Sequence, residues 1–226
     1  MTYLPPLEEL DRDGAIQETA EKVDAETRSA FLRKAGVGVG AVVAGSAFAG
    51  AIPAIARGQA VPQSDIDILN FALTLEFLEA AFYAEAVAKK KLSGETLRFA
   101  RVVANHEATH VKFLQKALGA KAVPQPKFDF KGTTETMPKF QATADVLENT
   151  GVQAYLGQAG LIKTKSILGA AASIATVEAR HAAWIRDIRF SGGKTSPQTP
   201  APAAFDDAFS KAKILSIVGS TGFIVS

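Results

Sequence analysis

The chain has 226 residues, 47% of them hydrophobic and 21% charged, which fits one globular domain with a sizeable core plus extensions. A formal net charge of +2 without a long basic run makes nucleic acid a poor partner. The absence of cysteine removes disulfides, thiolate zinc sites, iron–sulfur clusters and cysteine nucleophiles together, and leaves three histidines whose placement becomes the informative feature.

Residues 1–34 are polar and acidic and end in Thr27-Arg28-Ser29-Ala30-Phe31-Leu32-Arg33-Lys34. An apolar, small-residue stretch follows from Ala35 to Ala56, interrupted by Pro53, and both Ala47-Phe48-Ala49 and Ala54-Ile55-Ala56 read as small-x-small cleavage sites. The basic cluster resembles a twin-arginine export signal, with Ser29 where the second arginine belongs. Residues 1–60 are therefore expected to be an export signal, and the protein to act outside the cytoplasm, on the periplasmic or extracellular side. The alternative is an uncleaved membrane anchor, since the stretch approaches the ~20 residues that span a bilayer. Its many glycines and alanines suit a signal better.

From Ser64 the periodicity turns helical. Ser64-Asp65-Ile66-Asp67 is a plausible cap for a helix running to about Lys91, and a second helix runs from Glu95 to Leu118 and stops at Gly119. Residues 119–140 hold Pro124, Pro126, Gly132 and Pro138 without sustained period and predict a long connection. A third helix is expected over Gln141–Leu161 and a fourth over Ile167–Phe190, ended by Gly192-Gly193 and the prolines after it. The tail, 191–226, holds a short helical pattern around Asp206–Val218. No segment alternates convincingly at period two. The reading is an all-α fold over 61–190, a ferritin-like four-helix bundle whose two helix pairs are joined by one long crossover.

Two Glu-x-x-His motifs stand in this frame, Glu107-Ala108-Thr109-His110 on the second helix and Glu178-Ala179-Arg180-His181 on the fourth. The i, i+3 spacing places carboxylate and imidazole on one helix face. Glu76 and Glu148 on the first and third helices complete the ligand set of a bundle-core dimetal site. On a helical wheel Glu76 shares a face with Leu69, Ala72 and Tyr83, Glu148 with Val152 and Tyr155, and the histidines with apolar neighbours. Ionised groups on such faces are costly to bury unless paired or bound to metal. The spacing also repeats: each of Glu76 and Glu148 is followed seven residues later by a tyrosine, Tyr83 and Tyr155. Two similar helix pairs facing each other account for this. The competing reading is a set of salt-bridged core polar groups.

The segment Leu69–Tyr83, the motif Asn105-His106-Glu107-Ala108-Thr109-His110, the stretch Leu147–Tyr155 and Val177-Glu178-Ala179-Arg180-His181 together resemble the exported ferritin-like domain family. That family is related to desiccation-associated proteins and more distantly to bacterioferritin, rubrerythrin and manganese catalase. The resemblance implies Glu107 and Glu178 as bridging carboxylates, Glu76 with His110 on one metal, and Glu148 with His181 on the other. It implies Tyr83 and Tyr155 as residues that orient carboxylates or pass an electron or proton. Glu79 and His106 face roughly inward, each either a further ligand or a group hydrogen-bonded behind the ligands.

A carboxylate-rich site with one imidazole per metal suits two iron or two manganese ions per chain. The expected chemistry is that of a dimetal oxidoreductase, ferroxidase-like or manganese catalase-like, consuming dioxygen or peroxide in oxidative or desiccation stress. The alternative is a non-catalytic secreted stress protein whose metal serves stability alone. Expected partners are the metal ions, a small oxygen species and the export machinery, with a membrane only if the signal stays uncleaved. Phe71, Leu75, Phe77, Leu78 and Phe82 make the first helix apolar on several faces, which leaves two readings: a homodimer interface, or cover by the C-terminal tail.

Overall fold

A computed structural model of the chain describes residues 61–190 and 198–225. The expected export signal lies outside the described residues. Among the described residues the fold is all-α apart from one two-residue strand pair, and no helix is long and apolar enough to cross a membrane.

Four long helices form the bundle: α1 (Gln63–Ala88), α2 (Gly94–Leu118), α3 (Met137–Ala159) and α4 (Lys165–Phe190). Helix α1 packs along α2 and α3 along α4, and the two hairpins meet where α2 faces α4 and α1 faces α3. A short helix, α5 (Lys211–Thr221), lies against α3. Gly119, at φ 55°, closes α2 in a backbone conformation that side-chain-bearing residues rarely adopt.

The structure moves two predicted boundaries. Helix α3 begins at Met137, not near Gln141, because Pro138 occupies its first turn, where proline's missing N–H costs no hydrogen bond. Helix α5 starts at Lys211 behind a Ser210 cap, whose hydroxyl accepts from the Lys213 N–H, later than the pattern around Asp206 suggested. The expected cap of α1 also works differently. Asp65 is fully buried, and its carboxylate accepts from the backbone N–H groups of Lys163 and Thr164 at 3.0 and 2.9 Å, so it ties the turn just before α4 to the start of α1. Burial pushes the Asp65 carboxyl up, but these hydrogen bonds outweigh it and hold the group below its ordinary value.

The crossover travels along the bundle pinned at several points. The Asn70 side chain donates to the Lys121 carbonyl and accepts from the Val123 N–H, both at 2.9 Å. Strand β1 (Lys127–Phe128) pairs antiparallel with β2 (Ile224–Val225), which binds the crossover to the end of the chain. The tail thus covers α1. Ile214, Val218 and Phe223 pack in one cluster with Phe71, Leu75, Leu78 and Phe82, and the Lys211 ammonium stands 5.4 Å from the centre of the Phe71 ring. Phe71, Leu75, Phe77, Leu78 and Phe82 are all buried within the chain. The tail covers four of these five residues, and Phe77 packs instead in a second cluster with Leu73, Leu114 and Ile167.

Candidate metal centre

Each bundle helix sends its polar residues to one level of the core. Helix α1 contributes Glu76, Glu79 and Tyr83, α2 contributes Glu107 and His110, α3 contributes Glu148 and Tyr155, and α4 contributes Glu178 and His181. The spacings of three and seven residues keep each set on one face, pointing inward. Glu76, Glu107, Glu148 and Glu178 are wholly inaccessible to solvent, and His181 is buried.

The geometry is nearly two-fold. His110 Nδ1 lies 3.2 Å from a carboxylate oxygen of each of Glu76, Glu107 and Glu178. On the other side His181 Nδ1 lies 3.2 Å from Glu107, 3.1 Å from Glu148 and 3.9 Å from Glu178. Glu107 and Glu178 belong to both groups, each turning one oxygen to each histidine. The outer carboxylates are held crosswise. Tyr155 on α3 donates to Glu76 Oε1 of α1 at 2.5 Å, and Tyr83 on α1 donates to Glu148 Oε1 of α3. Each outer glutamate therefore has one oxygen fixed by a tyrosine and the other turned toward a histidine.

Burial and mutual repulsion dominate the electrostatics. Burial, then the Glu178 charge and those of the other three glutamates, holds Glu79 well above the ordinary carboxyl range. Glu107 is raised likewise, by burial and then by Glu178 and Glu76. Burial lifts Glu148 to about 7, although His181 and Tyr83 oppose it. Glu178 goes the other way: burial would raise it, but the His110 and His181 rings bring it to about 2. Burial would lower His181 and the carboxylates overcome it, pushing the ring up to about 12; His110 is raised for the same reason, chiefly by Glu76. Burial and the adjoining carboxylates raise Tyr83 and Tyr155, so both remain hydrogen-bond donors.

Hydrogen bonding among these residues leaves a shortfall of the kind that a cation could fill. Glu107 Oε1 and both oxygens of Glu178 are buried without a hydrogen-bond partner, although imidazole nitrogens stand 3.2 Å from Glu107 Oε1 and Glu178 Oε1. One nitrogen carries one proton, so His110 Nδ1 cannot satisfy three oxygens at 3.2 Å. Donor atoms that far apart are instead the edges of a coordination polyhedron whose centre lies about 2.0–2.3 Å from each, the range of metal–nitrogen and metal–oxygen bonds. Two ligand groups fit an ion: Glu76, Glu107, His110 and Glu178, and Glu107, Glu148, Glu178 and His181, with the ligand atoms of each group within 4.8 Å of one another.

A family model described as the ferritin-like domain matches residues 64–191. The chain belongs to that family. The match spans all four bundle helices of this ferritin-like protein and leaves out the tail that covers α1. No curated protein sequence matches the chain.

Two expected site residues stand apart from the ligand groups. His106 is partly exposed, and its Nδ1 lies 2.8 Å from His181 Nε2, behind the ligand face of that ring. Burial and then the His181 and His110 charges lower its pKa. Glu79 is buried beside Glu178 without joining either group. Sequence reasoning missed Gly151. A Cβ placed there would lie 3.3 Å from both Glu79 Oε1 and Glu178 Oε2, so the absent side chain makes room for the two carboxyls. The signal was present: Gly151 stands three residues after Glu148, as Glu79 stands three after Glu76.

Proposed function

We propose that this ferritin-like protein is an exported dinuclear iron or manganese carboxylate protein that oxidises Fe(II) or consumes peroxide or dioxygen. The observation that carries the reading is the pair of buried ligand groups sharing Glu107 and Glu178. Glu76 with His110 would complete one position and Glu148 with His181 the other. A donor set of carboxylates and one imidazole per ion suits iron or manganese, and such a pair, when bound, would supply redox chemistry toward dioxygen or peroxide. The chain's own residues prepare the site. Tyr83 and Tyr155 lock the outer carboxylates in one rotamer, so the ligand oxygens need little reorganisation when an ion arrives. Burial and the neighbouring glutamates hold the Glu107 and Glu79 carboxyls well above the ordinary range, so binding of a cation would be linked to release of protons from this cluster.

The complete burial of the four glutamates favours a second reading, in which metal stabilises a secreted stress-associated protein and turns over nothing. Metal analysis of protein from its native compartment comes first, beside a Glu107→Ala/Glu178→Ala variant. About two iron or manganese ions per chain, lost in the variant, support the site. Oxygen uptake with Fe(II) and peroxide decay with the manganese form then separate the readings: turnover favours the enzyme, and its absence with metal bound favours the structural role. Export rests on residues 1–60. A reporter fusion still exported without them would refute that part.

A further inference from the structure

The approximate two-fold pairs Glu76 with Glu148, Tyr83 with Tyr155, Glu107 with Glu178 and His110 with His181. It fails at two adjacent places. Glu79 of α1 corresponds to Gly151 of α3, and His106 of α2 corresponds to Val177 of α4.

Both departures fall on one side of the centre. The two oxygens of Glu178 serve different histidines: Oε1 lies 3.2 Å from His110 Nδ1, and Oε2 is the oxygen turned toward His181. It is Oε2 that shares with Glu79 Oε1 the space above Gly151, 3.3 Å from where a Cβ would stand. Glu79 is 3% exposed, so a buried carboxyl stands beside this half of the site, next to the unpartnered oxygens of Glu178. On the same half, His106 Nδ1 meets His181 Nε2 at 2.8 Å. His181 can donate its Nε2–H there, which presents Nδ1 as a lone pair and fixes the ring. His110 has no such partner among the described residues.

We infer that the two metal positions are unequal, and that Glu79 is an additional carboxylate ligand reserved for the position built on Glu148 and His181, admitted by the missing side chain at Gly151. This rests on the dimetal reading. An extra anionic oxygen ligand and a better-held imidazole make that position bind a hard divalent cation more tightly, so it fills first.

The test is a titration of metal-free full-length protein with Mn(II), following the free ion by electron paramagnetic resonance. Wild type binds two ions in steps whose affinities differ tenfold or more. Glu79→Gln, equal in shape, weakens the first step about tenfold or more and moves the second by less than about twofold. Gly151→Ala, whose methyl presses on Glu79 and Glu178 together, weakens the same step, whereas Glu76→Gln removes the second. Circular dichroism confirms that each variant is folded. Two ions bound with equal affinity in wild type, or a Glu79→Gln protein that titrates as wild type or loses the second step instead, overturns the inference and leaves the dimetal reading standing. No Mn(II) bound by wild type overturns both.

Discussion

Replacing Glu107 by glutamine separates the cost of the site from its use. Burial and the charges of Glu178 and Glu76 hold the Glu107 carboxyl well above its ordinary range, which disfavours its charged form and favours the neutral acid in the metal-free protein. Glutamine has nearly the shape of that acid, and its oxygen can still accept from the ring of His110 at the 3.2 Å contact. Metal-free Glu107→Gln protein should therefore unfold within about 1 kcal/mol of wild type, the worth of one ordinary hydrogen bond. With metal the two diverge. An ion present at a hundred times its dissociation constant stabilises the folded state by about 2.7 kcal/mol, so two ions contribute about 5.4 kcal/mol. In a chain of this length that raises the melting temperature by about 10–20 °C. The variant lacks a carboxylate common to both ligand groups and should lose most of that rise. The assay is calorimetry with chelator, then with Mn(II) or anaerobic Fe(II) set from a measured dissociation constant. A variant that is destabilised by more than about 3 kcal/mol without metal, or that keeps the full rise with it, would refute the reasoning.

Tyr155→Phe leaves Glu76 Oε1 buried without its donor; we expect a loss of about 1.5–3 kcal/mol in urea unfolding and metal affinity weaker by about tenfold or more. Asp65→Ala leaves two backbone N–H groups in the turn before α4 without their acceptor and should cost about 2–4 kcal/mol at pH 7. Because the folded carboxyl titrates below its unfolded value of 3.8, this contribution is whole above that pH and fades as pH falls through the folded value; equal effects of the substitution at pH 7 and pH 2.5 would contradict it. A Cβ on Gly157 would stand 1.8 Å from the Phe209 carbonyl oxygen, so Gly157→Ala should displace the tail, read as faster amide exchange over 198–225. Gly169→Ala, with nothing within 4 Å, should be neutral or slightly stabilising.

The bundle was legible because each helix carries its own period, and because Gly119 and the prolines of 119–140 mark where the chain must leave it. What eluded the sequence was contact across long separations. Asp65 reads locally as a cap of its own helix, but its carboxylate reaches residues 98 and 99 positions away, a pairing no local pattern contains. Strands of two residues leave no period to detect, so the pairing of 127–128 with 224–225 had no signature either. That Glu76, Glu107, His110, Glu148, Glu178 and His181 come together was legible for the opposite reason: their repeat at three and about thirty residues is written along the chain. His106 shows the limit of the wheel, which gave a rough inward direction but not the depth that leaves it at the surface behind His181.

Energetics bears on whether so polar a core can be merely structural. A buried ion pair rarely outperforms apolar packing, because desolvation offsets most of the attraction, and a half-satisfied polar network is worse still. Here four glutamates and two histidines sit among leucines, phenylalanines and alanines that would close the bundle alone, and three carboxylate oxygens lack a donor. Salt bridges among the six therefore do not explain their arrangement, since they satisfy only part of it. A divalent cation reverses the sign of that balance: like charges that repel in its absence become its ligands, and the unbonded oxygens of Glu107 and Glu178 lie in the two groups that would hold it. The same reasoning sets the expectation for an apolar replacement. Substituting all six with aliphatic residues should yield a bundle that is more stable than the metal-free protein and indifferent to metal, and a less stable product would show that the polar network supports the fold by itself.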